Sequence, residues 1–235
     1  MAADIDPAPI LTEIEELAYR GRVPVRSVAR GQFEREARTE APQGVLAHSA
    51  PVPEAELDDL MAVAGPGLPP PFLLALDGVT DPHNVGTLLR TALGAGATGA
   101  LLPRHRAAHL TPSVTKAAAG AVEHLPIAVV PGLPGAILRL RENGVWVVGL
   151  DAGAPASLFD LAVADGPVCL VVGAEGAGLA RLTRQRCDVL VSIPQAGPLD
   201  SLNVAAAGAL ACFEVARRRR RRPGVGPGPE GPADP

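Results

Sequence analysis

From residue 72 onward, short apolar runs alternate with longer amphipathic stretches. The runs are Phe72–Leu76, Ala100–Pro103, Ile127–Val130, Val145–Leu150, Val168–Val172 and Val189–Ile193. Between most of them lie stretches with helical spacing: Asn84–Leu93, Pro112–Val122, Leu133–Glu142, Leu179–Arg186 and Leu202–Ala216. Runs of four to six apolar residues bounded by turn residues predict strands, and the alternation with helices predicts an α/β domain with a mostly parallel sheet. The runs are apolar throughout rather than every second residue, as expected of strands covered on both faces.

The first 70 residues read differently. Ile10, Ile14 and Leu17 fall on one face of a short helix that Gly21 can end. Val23, Val25 and Val28 predict a strand, Phe33–Arg38 a charged helical turn, and Gly44–Ala47 a second strand. Pro51–Pro71 is rich in proline and acids and reads as a linker, with a short helix around Glu54–Val63. After Arg222 the sequence PGVGPGPEGPADP is low in complexity and predicts a disordered tail. The expected organisation is therefore a small partial domain over 1–50, a linker over 51–70, the main domain over 71–222 and a tail over 223–235.

Composition narrows the choices. Ala (41), Gly (26) and Pro (25) dominate and aromatics are 3%, yet 47% of residues are apolar, enough for a core of Ala, Val and Leu. No apolar run approaches the ~18 residues of a membrane span. No basic-then-apolar leader opens the chain, so secretion is not expected. Cys169, Cys187 and Cys212 form no CxxC pair and no disulfide framework, and a reducing cytoplasm is the expected compartment. The net charge is −4, but residues 1–216 carry 15 basic and 23 acidic side chains, and six arginines cluster at 217–222. Global charge does not favour a nucleic-acid partner, so an RNA contact must use a local patch.

In open α/β sheets ligands sit beyond the carboxyl ends of the strands, and three such loops carry polar, glycine-bearing sequence. Phe72–Leu76 leads into Asp77-Gly78-Val79-Thr80-Asp81-Pro82-His83-Asn84, where Asn84 is placed to cap a helix and Arg90 follows nearly two turns later. Val168–Val172 leads into Gly173-Ala174-Glu175-Gly176-Ala177-Gly178, a lone carboxylate among small residues that let a backbone approach a ligand. Val189–Ile193 leads into Pro194-Gln195-Ala196-Gly197-Pro198-Leu199-Asp200-Ser201-Leu202-Asn203, where Asp200 or Ser201 can cap the last helix. Each loop alone reads as a helix cap; the three together point to a site.

The segments LDGVTDPHNVGTLLRTA, VVGAEGAGL and SIPQAGPLDSLNVAAAGAL resemble, in order and spacing, the three motifs of the SpoU (TrmH-like) ribose 2'-O-methyltransferases of the SPOUT class. The likeness runs from about Pro71 to Arg217 and is greatest to the branch that methylates a guanosine of large-subunit ribosomal RNA. It implies an α/β fold with a C-terminal deep trefoil knot made by the loops around Gly173–Leu179 and Pro194–Leu202, a property periodicity does not show. It implies S-adenosylmethionine as cofactor, held by Gly173, Ile193 and Leu202 mostly through backbone groups, an RNA substrate, and a homodimer with sites at the interface. By motif match Asn84, Arg90, Glu175, Ser201 and Asn203 are the functional side chains. Arg90 is either the base for the 2'-hydroxyl or a fork-shaped clamp on the adjacent phosphate; guanidinium groups keep their proton in proteins, which favours the clamp. Glu175 and Asn84 orient Arg90 or the ribose, and Ser201 and Asn203 place the substrate. Transfer RNA modification, self-protection against a ribosome-targeting antibiotic, and a non-catalytic RNA-binding role in ribosome assembly are the alternatives.

Two departures stand out. Asp200 occupies a position where this branch often has a small hydroxyl residue, and Ala205 one where relatives often have Ser. An added carboxylate near RNA would repel phosphate. Ile10–Ala47 resembles only the later part of the family's RNA-binding domain, so the domain is either reduced or begins upstream of Met1, the second being the expectation.

Three other patterns carry less. Gly94-Ala95-Gly96-Ala97-Thr98-Gly99 fits GxGxxG, but with a helix before it and a strand after it, the reverse of a dinucleotide turn. His105 and His109 lack further ligands, and no metal is expected. Arg104, Arg106 and Lys116 form a candidate basic face toward phosphates. Arg217–Arg222 suits the end of a helix near Ala216, contact with RNA, or a solubilising tail.

Overall fold

The computed structural model describes residues 1–37, 43–62, 69–105, 109–197 and 201–220. The chain forms two compact units, Met1–Pro51 and Val52–Pro235. The larger contains seven strands: β1 (Phe72–Asp77), β2 (Gly99–Pro103), β3 (Ile127–Val130), β4 (Trp146–Leu150), β5 (Ala156–Ser157), β6 (Val168–Gly173) and β7 (Val189–Ser192). They form one sheet in the order β3-β2-β1-β6-β4-β7-β5, and every pairing is parallel.

Helices cover both faces. Those of the larger unit are α3 (Leu57–Met61), α4 (Pro82–Gly94), α5 (Pro112–Ala118), α6 (Leu133–Glu142), α7 (Arg181–Arg186) and α8 (Val204–Arg220); the smaller unit holds α1 (Pro9–Arg20) and α2 (Arg30–Glu36). Successive side chains of a strand point to opposite faces, and β1 shows the result. Phe72, Leu74 and Leu76 join Val85, Leu88 and Leu89 of α4, Val114 of α5, and Ala211, Cys212 and Val215 of α8. Leu73 and Ala75 join Leu57 and Leu60 of α3 and Leu133, Ile137 and Leu140 of α6. This double coverage is why the strands read as unbroken apolar runs.

Glycines let helices close onto one another. A Cβ on Gly86 of α4 would lie 2.7 Å from the Val114 carbonyl oxygen and 2.8 Å from the Ala118 nitrogen of α5. The stretch read as a linker contains α3, whose Leu57 and Leu60 are buried in the larger unit, and the Ala55 N–H donates to the Ile127 carbonyl at 2.8 Å.

The arginine run is not a tail as far as Arg220. Helix α8 continues four residues past Ala216. Arg217 and Arg218 both donate to the buried Glu214 carboxylate at 2.7 Å, and these bonds hold it below the usual range despite the cost of desolvation. Arg219 donates to the carbonyls of Ala164, Pro70, Pro71 and Gly166 at 2.7–3.0 Å and lies over the Phe72 ring at 5.2 Å. It therefore pins the end of α8 to the entry of β1. Arg219→Leu is expected to lower stability by about 2 kcal/mol, since charge-assisted bonds to carbonyls are lost, and the melting temperature by roughly 4–8 °C, measured by calorimetry. Arg221, Arg222 and the 223–235 tail lie outside the described residues.

In the smaller unit α1 ends at Gly21, whose N–H bonds the Leu17 carbonyl at 2.8 Å. Helix α2 buries Phe33. The two strands expected here do not form among the described residues. Val28 makes only an isolated bridge to Ala2, and Val23 and Val25 stay exposed. The Val23 N–H donates to the Ala18 carbonyl of α1 and the Val28 N–H to the Met1 carbonyl, so the segment is held by local bonds and one bridge rather than by a strand ladder.

Candidate active site

The second and third loops meet at the carboxyl ends of β6 and β7, beside the end of β4, and the first is tied to them by side-chain hydrogen bonds. Helix α4 starts at Asp81, not Asn84: the Asp81 carboxylate accepts from the N–H groups of His83 and Asn84 at 3.2 Å, and Pro82 occupies the first turn. Helix α8 likewise starts at Asn203, not Asp200 or Ser201. The Asn203 Oδ1 accepts from the N–H groups of Ala205 at 2.9 Å and Ala206 at 3.3 Å. The same side chain donates through Nδ2 to Asn84 Oδ1 at 3.4 Å. One amide thus starts α8 and ties it to the buried Asn84 of α4.

The middle loop is folded by its glycines. The Ala174 N–H donates to the Gly178 carbonyl at 3.0 Å and the Gly178 N–H returns to Ala174 at 2.8 Å, with Gly176 and Gly178 at φ +76° and +67°. Gly173 passes so close beneath this turn that a Cβ would overlap the backbone of Gly178 and Leu179. Asp77, at the end of β1, accepts from the Ala180 N–H at 2.7 Å and joins the first loop to the second.

The loops after β6 and β7, with the end of β4, enclose a cleft of about 190 Å³, lined by Leu150–Ala152, Val172–Gly176, Gly178, Val191–Ile193, Gln195, Ser201, Leu202, Val204 and Ala207. All three expected cofactor residues, Gly173, Ile193 and Leu202, line it, as do Glu175 and Ser201. Asn84 and Asn203 stand behind it as a bonded pair. Arg90 does not line this cleft; it is exposed on α4, with no hydrogen bond or ion pair found for it among the described residues. Asp200 and Arg106 lie outside the described residues. Arg104 pairs with Glu54 at 3.6 Å rather than standing as an open cation.

An S-adenosyl compound fits this donor set. The lining offers apolar side chains for a purine and backbone close enough for hydrogen bonds, because Gly173, Gly176 and Gly178 carry no side chains. Burial pushes the Cys187 and Cys212 thiols up to about 12, so neither supplies a thiolate near neutral pH. Among the described residues no group of three metal-binding side chains occurs, and no helix is long and apolar enough to cross a membrane.

A family model described as the SpoU rRNA Methylase family matches residues 71–213, from the start of β1 through most of α8. The chain belongs to the SpoU methylase family. The family match contains all three loops and every expected site residue. Among relatives, the 23S rRNA (guanosine-2'-O-)-methyltransferase RlmB of Photobacterium profundum is 39% identical over 212 residues, 90% of this chain and 84% of that protein. The RlmB of Pseudomonas putida is 41% identical over 216 residues, 90% of this chain and 85% of that protein. Among solved structures, the SpoU methyltransferase AviRb from Streptomyces viridochromogenes in complex with AdoMet superposes with TM-score 0.71 at 26% identity, covering 93% of this chain and 81% of that one. An AdoMet-bound rRNA methyltransferase from Sinorhizobium meliloti gives 0.69 at 27% identity, covering 89% and 78%.

Sequence reasoning missed Asp81 as the α4 cap, Asp77 as the tie between loops, and Asp151 in the cleft wall. Asp77 and Asp151 share a legible signal: each is the first polar residue after an apolar strand run.

Proposed function

We propose that this protein is an S-adenosylmethionine-dependent RNA 2'-O-methyltransferase that methylates a guanosine ribose of large-subunit ribosomal RNA. The observation that carries the reading is that Gly173, Glu175, Ile193, Ser201 and Leu202, from two separate loops, line one cleft. The relatives named for guanosine 2'-O-methylation, matched over most of the chain, support the substrate. S-adenosylmethionine supplies a methyl group already activated by its sulfonium. The protein's task is then to hold the ribose in line and ease loss of the 2'-hydroxyl proton.

Gly173, Ile193 and Leu202 hold the cofactor. Ser201 at the cleft wall and Glu175 at its rim meet the ribose. Asn84 and Asn203 fix α4, which carries Arg90, against α8. Arg90 grips the phosphate beside the target ribose with two parallel N–H donors. A chain fold in which β6 lies between β1 and β4, and β7 between β4 and β5, with Gly173 against Gly178–Leu179, supports the trefoil knot.

The active form is a homodimer in which Arg90 serves the partner's cleft. Arg90 faces solvent, and α8 carries exposed Leu210 and Phe213, three residues apart on one side of the helix. Phe213→Glu is expected to give a monomer in sedimentation, with methyl transfer lost and the fold kept by circular dichroism. A dimer with full activity would remove this part of the reading. Residues 1–50 contact the RNA substrate, consistent with their separate compactness.

The test of the function is transfer of labelled methyl from S-adenosylmethionine to ribosomal RNA, followed by mapping of the 2'-O-methyl position. Label on a base rather than on a ribose would defeat it.

A further inference from the structure

The cleft has a wall that none of the three motif loops supplies. It comes from the end of β4, as Leu150, Asp151 and Ala152. Asp151 is bound to this place: its N–H donates to the Val191 carbonyl of β7 at 2.9 Å. Its carboxylate is largely covered, 19% exposed, and is aimed by two donors. Gly153 N–H donates to Oδ1 at 2.9 Å, and Arg184 of α7 donates to Oδ2. Burial alone would raise its pKa, but Arg184 and the Gly153 N–H together hold it below the usual carboxylate range.

A carboxylate has about four lone-pair sites. Two are used, so two remain, the number a vicinal diol needs. A carboxylate just beyond a parallel strand is also the recurrent way for α/β sheets to accept hydrogen bonds from a ribose. The other carboxylate of the lining, Glu175, is exposed on the middle loop, where the reaction is placed.

We propose that Asp151, held by Arg184, accepts hydrogen bonds from the ribose hydroxyls of the S-adenosyl cofactor and so selects an adenosine with an intact diol. This rests on the methyltransferase reading above. It assigns the β4 end and α7 a share in cofactor recognition that the three motifs do not contain.

The experiment is calorimetric binding of two probes, S-adenosylhomocysteine and its 2',3'-dideoxy analogue, to the full chain, Asp151→Ala and Arg184→Gln. Hydrogen bonds to a charged group are worth roughly 1.5–3 kcal/mol, so about a tenfold to a hundredfold loss is expected for S-adenosylhomocysteine with Asp151→Ala. The dideoxy analogue should bind the unaltered chain and Asp151→Ala within about twofold of each other, because the group that Asp151 recognises is already gone. Arg184→Gln leaves the carboxylate in place and should give a smaller loss with the same selectivity. It also serves if Asp151→Ala does not fold. Equal losses for both probes, or no loss for either, would overturn the proposal. Failure of the unaltered chain to bind S-adenosylhomocysteine would instead overturn the methyltransferase reading on which it rests.

Discussion

Arg90→Ala is expected to bind S-adenosylhomocysteine as tightly as the unaltered protein and to transfer methyl about 10³-fold more slowly. The separation follows from position. Arg90 stands on α4 away from the cleft lined by Gly173, Ile193 and Leu202, so its removal leaves cofactor contacts untouched. It has no partner found among the described residues, so its loss breaks no ion pair and leaves the fold intact. The magnitude is that of a positioned group acting on developing charge or on the reacting proton, about 10²–10⁴-fold. Arg90→Lys separates the two roles left open by the sequence. A lysine keeps a point charge for phosphate but loses the paired donors, so a clamp predicts partial recovery, mostly in the apparent affinity for RNA. Full activity of Arg90→Ala in a labelled-methyl assay would remove Arg90 from the mechanism.

Gly173→Ala is expected to fail at an earlier step. The added Cβ would overlap backbone atoms of Gly178 and Leu179, which cannot rotate away as a side chain could. Overpacking costs typically about 1–3 kcal/mol, and backbone overlap belongs at the upper end. The melting temperature should fall by roughly 6–12 °C, and binding of S-adenosylhomocysteine should be lost because the Ala174–Gly178 turn must open. Gly176→Ala differs. No atom lies within 4 Å of its Cβ, but its φ of +76° costs a left-handed alanine, so it should lose about 1 kcal/mol and keep most binding. Equal behaviour of the two variants would contradict the close-passage account of Gly173.

Much of the larger unit was legible because its physics is local. The runs from Phe72 to Ile193 coincide with six of the seven strands, since strands buried on both faces need unbroken apolar sequence. The exception is β5, whose Ala156–Ser157 carries no apolar run and exists only through its pairing with β7. The smaller unit shows the converse: Val23 and Val25 have the right residue type and no strand to pair with. The helix starts were misplaced for a related reason. Asn84 and Asp200 are good capping residues, but Asp81 and Asn203 reach the free N–H groups, and which one does so depends on where the chain turns. The extension of α8 to Arg220 rests on Glu214 and on carbonyls from 53 to 149 residues away, which no local reading of the arginine run contains. The cleft residues on the motif loops were legible through their resemblance to a family, whereas Asp77 and Asp151 act through long-range bonds that only the folded chain displays.

The most direct test of the account is a map of ribose methylation in ribosomal RNA incubated with S-adenosylmethionine and either the unaltered protein or Arg90→Ala. The account predicts a new 2'-O-methyl group on one guanosine of the large-subunit RNA with the unaltered protein, and none with Arg90→Ala. A protein that binds S-adenosylhomocysteine yet leaves every ribose unmethylated, or that methylates equally well without Arg90, would contradict it.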